Sequence, residues 1–371
     1  MKDWQKGIKR LWDQGRLTRC TVIATGSHMI DLKMSNEKLP GRRGETIDSY
    51  DKIMLPMKFS EYVSCIDGDL SHYIEENLRH EQSRLDIFKM LLGSQIDNRL
   101  DGLQAYLPNL NQYLLDYLVT GGIPKVVDVY IKNGSIREEI YTTYLNVILG
   151  DLNSLHRNEK IFRQLVGNII KNISWPVSWR SLLKDTDIGS PTTVIEYISM
   201  LEDMFVLSTF YQYHSEKKKP LFEKEKKIHF RDVFFLHALN AWINATSSFE
   251  VSQSFIENNQ GPLVEGVVGD HLIRFAFAVS PKKQIFQYSN FLYYWKYGKQ
   301  QEVDYVLNDG ITLEIPIEVK FQNTITNRDS DGIINFKKLV HAKSALLLSK
   351  DQLNVSKEFV KIPVSMLLLL V

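Results

Sequence analysis

Around residues 302–321 apolar and polar positions alternate with a period of two. Ile315, Ile317, Val319 and Phe321 fall on one face of a strand, and Glu318 and Lys320 fall on the other. A preceding strand over 302–307 carries Asp304. Asn308-Asp309-Gly310 separates the two, and those residues tolerate the positive φ angles of a tight hairpin. The hairpin sets the acid-bearing strands side by side. Pro316 is the irregularity, because a residue without an N–H belongs at a strand start or an edge.

Elsewhere the apolar period is helical. Tyr106, Leu110, Tyr113, Leu114 and Tyr117 share a stripe within 71–123, and Gly121-Gly122-Ile123-Pro124 stops that helix. Ile161, Leu165, Ile169 and Ile173 predict another, followed by a short helix over 179–183. Ser190 as N-cap and Pro191 at the first helical position then open a helix that buries Val194, Ile198, Leu201 and Phe205. Residues 206–211 and 227–230 predict the strands of a hairpin. Within 261–272, helical spacing turns Leu263, Val264, Val267 and Val268 inward and puts Glu265 near the core edge. The final region predicts a helix over 332–341, with Ile333, Phe336, Leu339 and Val340 inward, then strands over 345–348 and 361–369. Near the start, residues 20–24 predict a short strand ending in the polar turn Thr25-Gly26-Ser27.

Length and composition bound the class. At 371 residues, two or three domains are expected, and 44% hydrophobic with 24% charged residues describes a soluble globular protein. A net charge of +1 excludes a strong global attraction for polyanions, so any nucleic-acid binding must come from local patches. Cys20 and Cys65 give neither a disulfide framework nor zinc spacing, which suits a reducing cytoplasm. No apolar run is long enough to cross a bilayer and the first residues lack a signal-peptide core, so a cytoplasmic, membrane-free protein is expected. His229, His271 and His341 are scattered and read as surface or packing histidines. Tyr293-Tyr294-Trp295 either stack on bases or fill a half-buried strand, and the second is the simpler reading.

Charge placed on core strands must be paired, hydrogen-bonded or bound to metal. Asp304, Glu318 and Lys320 form such a set. Two carboxylates and an amine converging this way are the working parts of a magnesium-dependent phosphodiesterase, in which the acids hold Mg2+ and the ammonium steadies water or phosphate. Glu-x-Lys also occurs at 216–218 and 225–227 inside a solvated charge run, so only its place in an apolar strand makes 318–320 informative.

Glu302-Val303-Asp304 and Ile317-Glu318-Val319-Lys320 together resemble the C-terminal domain of a large group of archaeal and bacterial AAA-type ATPases, a domain similar to PD-(D/E)xK nucleases. The resemblance implies a multidomain α/β chain. It would hold a partial ATPase sheet over 1–70 and a helical lid over 71–127. A winged helix-turn-helix over 128–235 and a restriction-endonuclease-like α/β domain over 236–371 would follow. It implies catalytic roles for Asp304, Glu318 and Lys320, with Glu265, Asp304 and Glu318 around Mg2+. Val303 departs from the pattern, which has proline there. The first segment resembles the family's nucleotide-sensing strand, with Thr25 and Ser27 as sensors and Arg42 and Arg43 as phosphate partners. The chain contains no Gly-x-x-x-x-Gly-Lys-Ser/Thr, so it is not expected to be an ATPase, and ATP is implied only with the missing N-terminal part.

The expected recognition helix exposes Thr192, Thr193, Glu196, Ser199, Glu202 and Asp203, with no cation to meet phosphate. The wing carries Lys217, Lys218, Lys219, Lys224, Lys226 and Lys227, which either touch a nucleic-acid backbone or form a solvated hairpin. Two functions stay open: a metal-dependent nuclease, or a non-catalytic module that binds protein or DNA and keeps its acids and lysine as an internal ion-pair network.

Overall fold

The alternating segments fold as adjoining strands of one sheet. The computed structural model describes residues 4–23, 53–245, 248–280, 286–298, 301–308 and 314–371. Its strands are β1 (Leu207–His214), β2 (Lys219–Phe230), β3 (Leu292–Tyr297), β4 (Gln301–Asn308), β5 (Glu314–Val319), β6 (Leu346–Ser349), β7 (Asn354–Val355) and β8 (Val360–Pro363). They form an eight-stranded mixed sheet in the order β2-β1-β3-β4-β5-β6-β8-β7. From β3 to β5 the pairing is antiparallel, and from β5 through β6 to β8 it is parallel.

Helices surround that sheet. The first are α1 (Trp4–Asp13), α2 (Phe59–Ile66), α3 (Gly68–Asn77), α4 (Glu81–Leu92), α5 (Asn98–Leu103), α6 (Leu107–Thr120) and α7 (Pro124–Asn133). Then come α8 (Glu138–Ser154), α9 (Glu159–Lys171), α10 (Pro191–Asp203), α11 (Val233–Asn244), α12 (Ser248–Val279), α13 (Asp331–Val340) and α14 (Val364–Leu370). Ser190 caps α10 through the Thr193 N–H at 3.3 Å, with Pro191 at the first position. Leu110, Leu114 and Tyr117 are buried on α6, as their spacing predicts. Among the described residues no helix is long and apolar enough to cross a membrane.

The expected wing is part of the main sheet. β1 pairs in parallel with β3 at Gln212 and Tyr294, and the Gln212 side chain donates to the Lys296 carbonyl at 2.8 Å. The Tyr294 hydroxyl donates to the Glu225 carbonyl on β2 at 2.7 Å. The sheet therefore runs across the boundary expected at residue 235.

Four local expectations change. Residues 361–369 are not one strand, because β8 ends at Pro363 and α14 follows, with every side chain from Val364 to Leu370 buried. A run that is apolar all round carries no period, so sequence cannot separate strand from helix there. Leu339 is 52% exposed and not inward. The helix over 179–183 is a single 3-10 turn, Ser181–Leu183. Residues 20–23 form no strand, and Val22 and Ile23 are exposed. Thr25, Ser27, Arg42, Arg43, Asp309 and Gly310 lie outside the described residues. Pro316 sits in an interior strand, but β6 begins opposite Ile317, so the ladder on that side has not started at the proline.

The segment before α2 is tied to the rest by main-chain bonds. The Met57 N–H donates to the Gly122 carbonyl at 2.7 Å, and the Tyr117 hydroxyl donates to the Met57 carbonyl at 2.7 Å. Arg274 donates to the Pro56 carbonyl at 2.6 Å, and His271 Nε2 accepts the Phe59 N–H at 2.9 Å. A Cβ at Gly122 would overlap the Met57 backbone, so only glycine fits there, while the preceding Gly121, with φ +61, caps α6. Buried Asp232 closes the junction by accepting the Gly122 N–H at 2.8 Å.

Candidate acidic site

The β4–β5 hairpin and α12 bring four carboxylates together. Tyr305 pairs with Ile317, and continuing that register sets Asp304 opposite Glu318. Main-chain bonds fix both acids: Asp304 Oδ2 accepts the Val319 N–H at 2.9 Å, and Glu318 Oε2 accepts the Asp304 N–H at 3.3 Å. Glu265 arrives from α12. That helix lies close against β4 because Gly269 leaves room for Tyr305, whose hydroxyl donates to the Glu265 carbonyl at 2.8 Å. Glu302, earlier on β4, completes the group.

A lysine sits in the middle of it. Lys227 of β2 is fully buried, with Nζ 2.9 Å from Glu265 Oε1, 2.5 Å from Glu302 Oε1 and 2.8 Å from Asp304 Oδ1. Lys320 pairs instead with Glu318, Nζ to Oε1 at 2.5 Å. Asp304, Glu318 and Lys320 thus meet as the sequence predicts, and Glu265 joins them. Lys227 and Glu302 are the members that sequence reasoning missed. The available signal was that 227–230 reads as a strand, so the lysine opening it belongs to the sheet and not to the solvated charge run before it.

Burial opposes charge on Lys227, but Asp304, Glu265 and Glu302 outweigh it and hold the ammonium well above the ordinary lysine value. Burial likewise pushes the Glu265 carboxyl up, and Lys227 followed by His229 draws it down past that, to about 2. Glu318 moves the other way. Burial, reinforced by Asp304 beside it, raises its carboxyl to about 8 despite Lys320. Glu302 is raised by burial, with Lys227 opposing.

His229, two residues along β2 from Lys227, is buried and neither ring nitrogen has a hydrogen-bond partner. Its Nε2 lies 3.4 Å from Glu265 Oε1. His271 is also buried, whereas His341 is exposed.

The wing lysines divide. Lys217, Lys218, Lys219 and Lys224 are exposed near the hairpin tip, with Lys218 also 2.9 Å from Glu314. Lys226 and Lys227, expected to meet a nucleic-acid backbone, are buried at 2% and 1% exposure. Lys226 lies 4.7 Å over the Trp179 ring. Tyr293, Tyr294 and Trp295 are all buried, so they fill the sheet and cannot stack on bases. Glu202, expected on the outer face of α10, accepts the Thr209 N–H and the Tyr288 hydroxyl.

Carboxylate oxygens suit a hard divalent cation such as Mg2+. The arrangement does not fit one, because the Lys227 ammonium occupies the point on which Glu265, Glu302 and Asp304 converge. Among the described residues no three acid, histidine or cysteine side chains are disposed to hold a metal ion.

Residues 260–367, which contain the acids, match the Domain of unknown function (DUF4143), a domain found in AAA-ATPase-associated proteins. Residues 111–246 match a second family, the Domain of unknown function (DUF8612). No curated protein matches. Among solved structures, the chain is similar to one from a Thermococcus gammatolerans assembly of McrB AAA+ hexamers with bound McrC. Identity is 14% over 70% of each chain, and a TM-score of 0.24 is too low to support a fold or an activity.

Proposed function

We propose that this chain serves as a non-catalytic interaction module of an AAA-associated protein, built on a nuclease-like sheet whose acidic site is neutralised from within. The observation that carries this is Lys227 Nζ within 2.9 Å of carboxylates from Glu265, Glu302 and Asp304. A phosphodiesterase needs those oxygens for metal. Here they satisfy a buried ammonium, and Lys320 is engaged by Glu318. Each cation has a partner inside the fold, so the network stands as structure.

Support for the nuclease-like reading of 236–371 is the succession of α12, the antiparallel β3-β4-β5, then α13 crossing to the parallel β6, with the acids at the β4–β5 hairpin. The helices α9 and α10 followed by the β1–β2 hairpin support a winged-helix reading of 128–235. Nucleic acid remains one partner class for the module, through the exposed lysines of the hairpin tip, Lys217, Lys219 and Lys224. A protein partner is the other. The chain itself then needs neither Mg2+ nor ATP.

The test is cleavage of single- and double-stranded DNA by the wild-type chain in Mg2+ or Mn2+, with Asp304→Asn and Lys320→Ala beside it. No cleavage by the wild type is expected. Metal-dependent cleavage that both substitutions abolish would establish the nuclease instead.

A further inference from the structure

Lys226 and Lys227 are neighbours on β2, so their side chains leave opposite faces of the sheet. Lys227 enters the acids, whereas Lys226 enters a group of aromatic rings at the sheet edge. We propose that this edge binds a single-stranded nucleic acid, whose bases stack on Phe222 and Trp175 while the lysines on either side of Phe222 meet its phosphates. This rests on the nucleic-acid arm of the reading above and names the class of strand.

The edge is built from three short segments. β2 is the first strand in the sheet order, so one of its sides faces no further strand. Val177 covers that side at a single point, where it and Lys226 exchange main-chain hydrogen bonds of 2.8 Å. Two residues on, the Trp179 ring lies 4.7 Å from Lys226 Nζ. On β1, Tyr211 stands opposite Lys226, and the ladder then passes directly to Gln212 opposite Leu221. Residues 222–225 therefore leave the ladder as a bulge. Phe222 is the first of them. Its ring meets Tyr211 in a T-shape at 4.9 Å, yet it is 61% exposed. Trp175, two residues before Val177, is 71% exposed.

Cations alternate with these rings. Arg180 follows Trp179, Lys219 and Lys224 flank Phe222, and Lys217 stands at the hairpin tip, all of them exposed. Of the acids in the same stretch, Glu225 is held by Lys296 at 2.9 Å, which sets Glu216 and Glu223 against that larger group of cations. Positive charge complements phosphate, and aromatic rings take bases of any sequence. A ring face open to water can stack only on a base that is not already paired and stacked, which selects a single strand over a duplex.

The experiment is fluorescence anisotropy of a labelled oligo(dT), and of a labelled duplex, titrated with the whole chain in EDTA so that cleavage plays no part. Wild type should bind oligo(dT) at least about tenfold more tightly than the duplex. Phe222→Ala combined with Trp175→Ala should weaken oligo(dT) binding by at least about tenfold and leave duplex affinity and the thermal midpoint unchanged. Phe222→Leu, which keeps apolar bulk against Tyr211 and removes the flat ring, should give a loss in the same direction where the alanine change lowers the midpoint. Changing Lys217, Lys219 and Lys224 to glutamine should weaken both probes. Oligo(dT) affinity that survives the loss of both rings, or a duplex held as tightly as the single strand, overturns the proposal and leaves the lysines as a duplex contact. Binding of neither probe by wild type overturns the nucleic-acid reading as well and leaves protein as the partner.

Discussion

Lys227 Nζ lies 2.8 Å from Asp304 Oδ1, although 77 residues separate the two along the chain. That bond joins β2 to β4 and makes the acidic cluster depend on the hairpin. Breaking a buried ion pair from one side leaves uncompensated charge, at a cost of about 3–5 kcal/mol. Lys227→Gln should therefore lower unfolding stability by that amount in urea. Adding Asp304→Asn should recover part of it, with a coupling of about 1–3 kcal/mol. Strictly additive losses would show that the two side chains do not interact.

The raised Glu318 carboxyl gives a pH signature. Its folded value of about 8 stands above the ordinary glutamate value of 4.5, so the folded state binds a proton that the unfolded state releases. Its stabilising effect is complete below pH 4.5 and is lost as pH rises toward 8. Asp232, raised to about 6 by burial, acts the same way lower down. Buried His237 and His271, lowered by burial to about 4 and about 3, act oppositely, adding stability that is lost as pH falls below 6.5. The window from pH 6.5 to 8 thus isolates Glu318 among these groups. There stability should fall by at most about 1.4 kcal/mol per pH unit, and Glu318→Gln should flatten the slope. An unchanged slope would refute the shift.

The junction at Met57 has its own test. Gly122→Ala forces a Cβ against the Met57 backbone, and overpacking of this kind costs about 1–3 kcal/mol. Amide exchange at Met57, whose N–H donates to the Gly122 carbonyl at 2.7 Å, should accelerate well beyond the global change. Protection that persists at Met57 would mean that this contact does not hold the segment in place.

The hairpin-tip lysines decide between partner classes. With Lys226 and Lys227 buried, only the exposed positions can meet phosphate. Changing Lys217, Lys219 and Lys224 to glutamine should weaken duplex DNA binding and reduce its salt dependence by up to about three phosphate contacts. Equal affinity before and after the change would leave protein as the partner.

What the sequence disclosed follows periodicity. Glu318 and Lys320 were legible because a period of two separates them from Ile317 and Val319, and Glu265 because helical spacing marks a core edge. The α14 helix was not legible, since every residue from Val364 to Leu370 but Ser365 is apolar and the run shows no helical period. Lys227 was hidden for a different reason. It ends a run of solvated charges, and its burial depends on β1 joining β3, a long-range pairing that no local pattern encodes. Chemistry read from Asp304, Glu318 and Lys320 alone pointed to a metal, and Lys227 of β2 changes that reading.

The most direct measurement is a crystal structure of the wild-type chain grown in MnCl2, with anomalous scattering recorded at the manganese edge. The expected map shows Lys227 Nζ among Glu265, Glu302 and Asp304 and no anomalous peak in the cluster. A manganese peak bridging Asp304 and Glu265, with the lysine swung aside, would contradict the account.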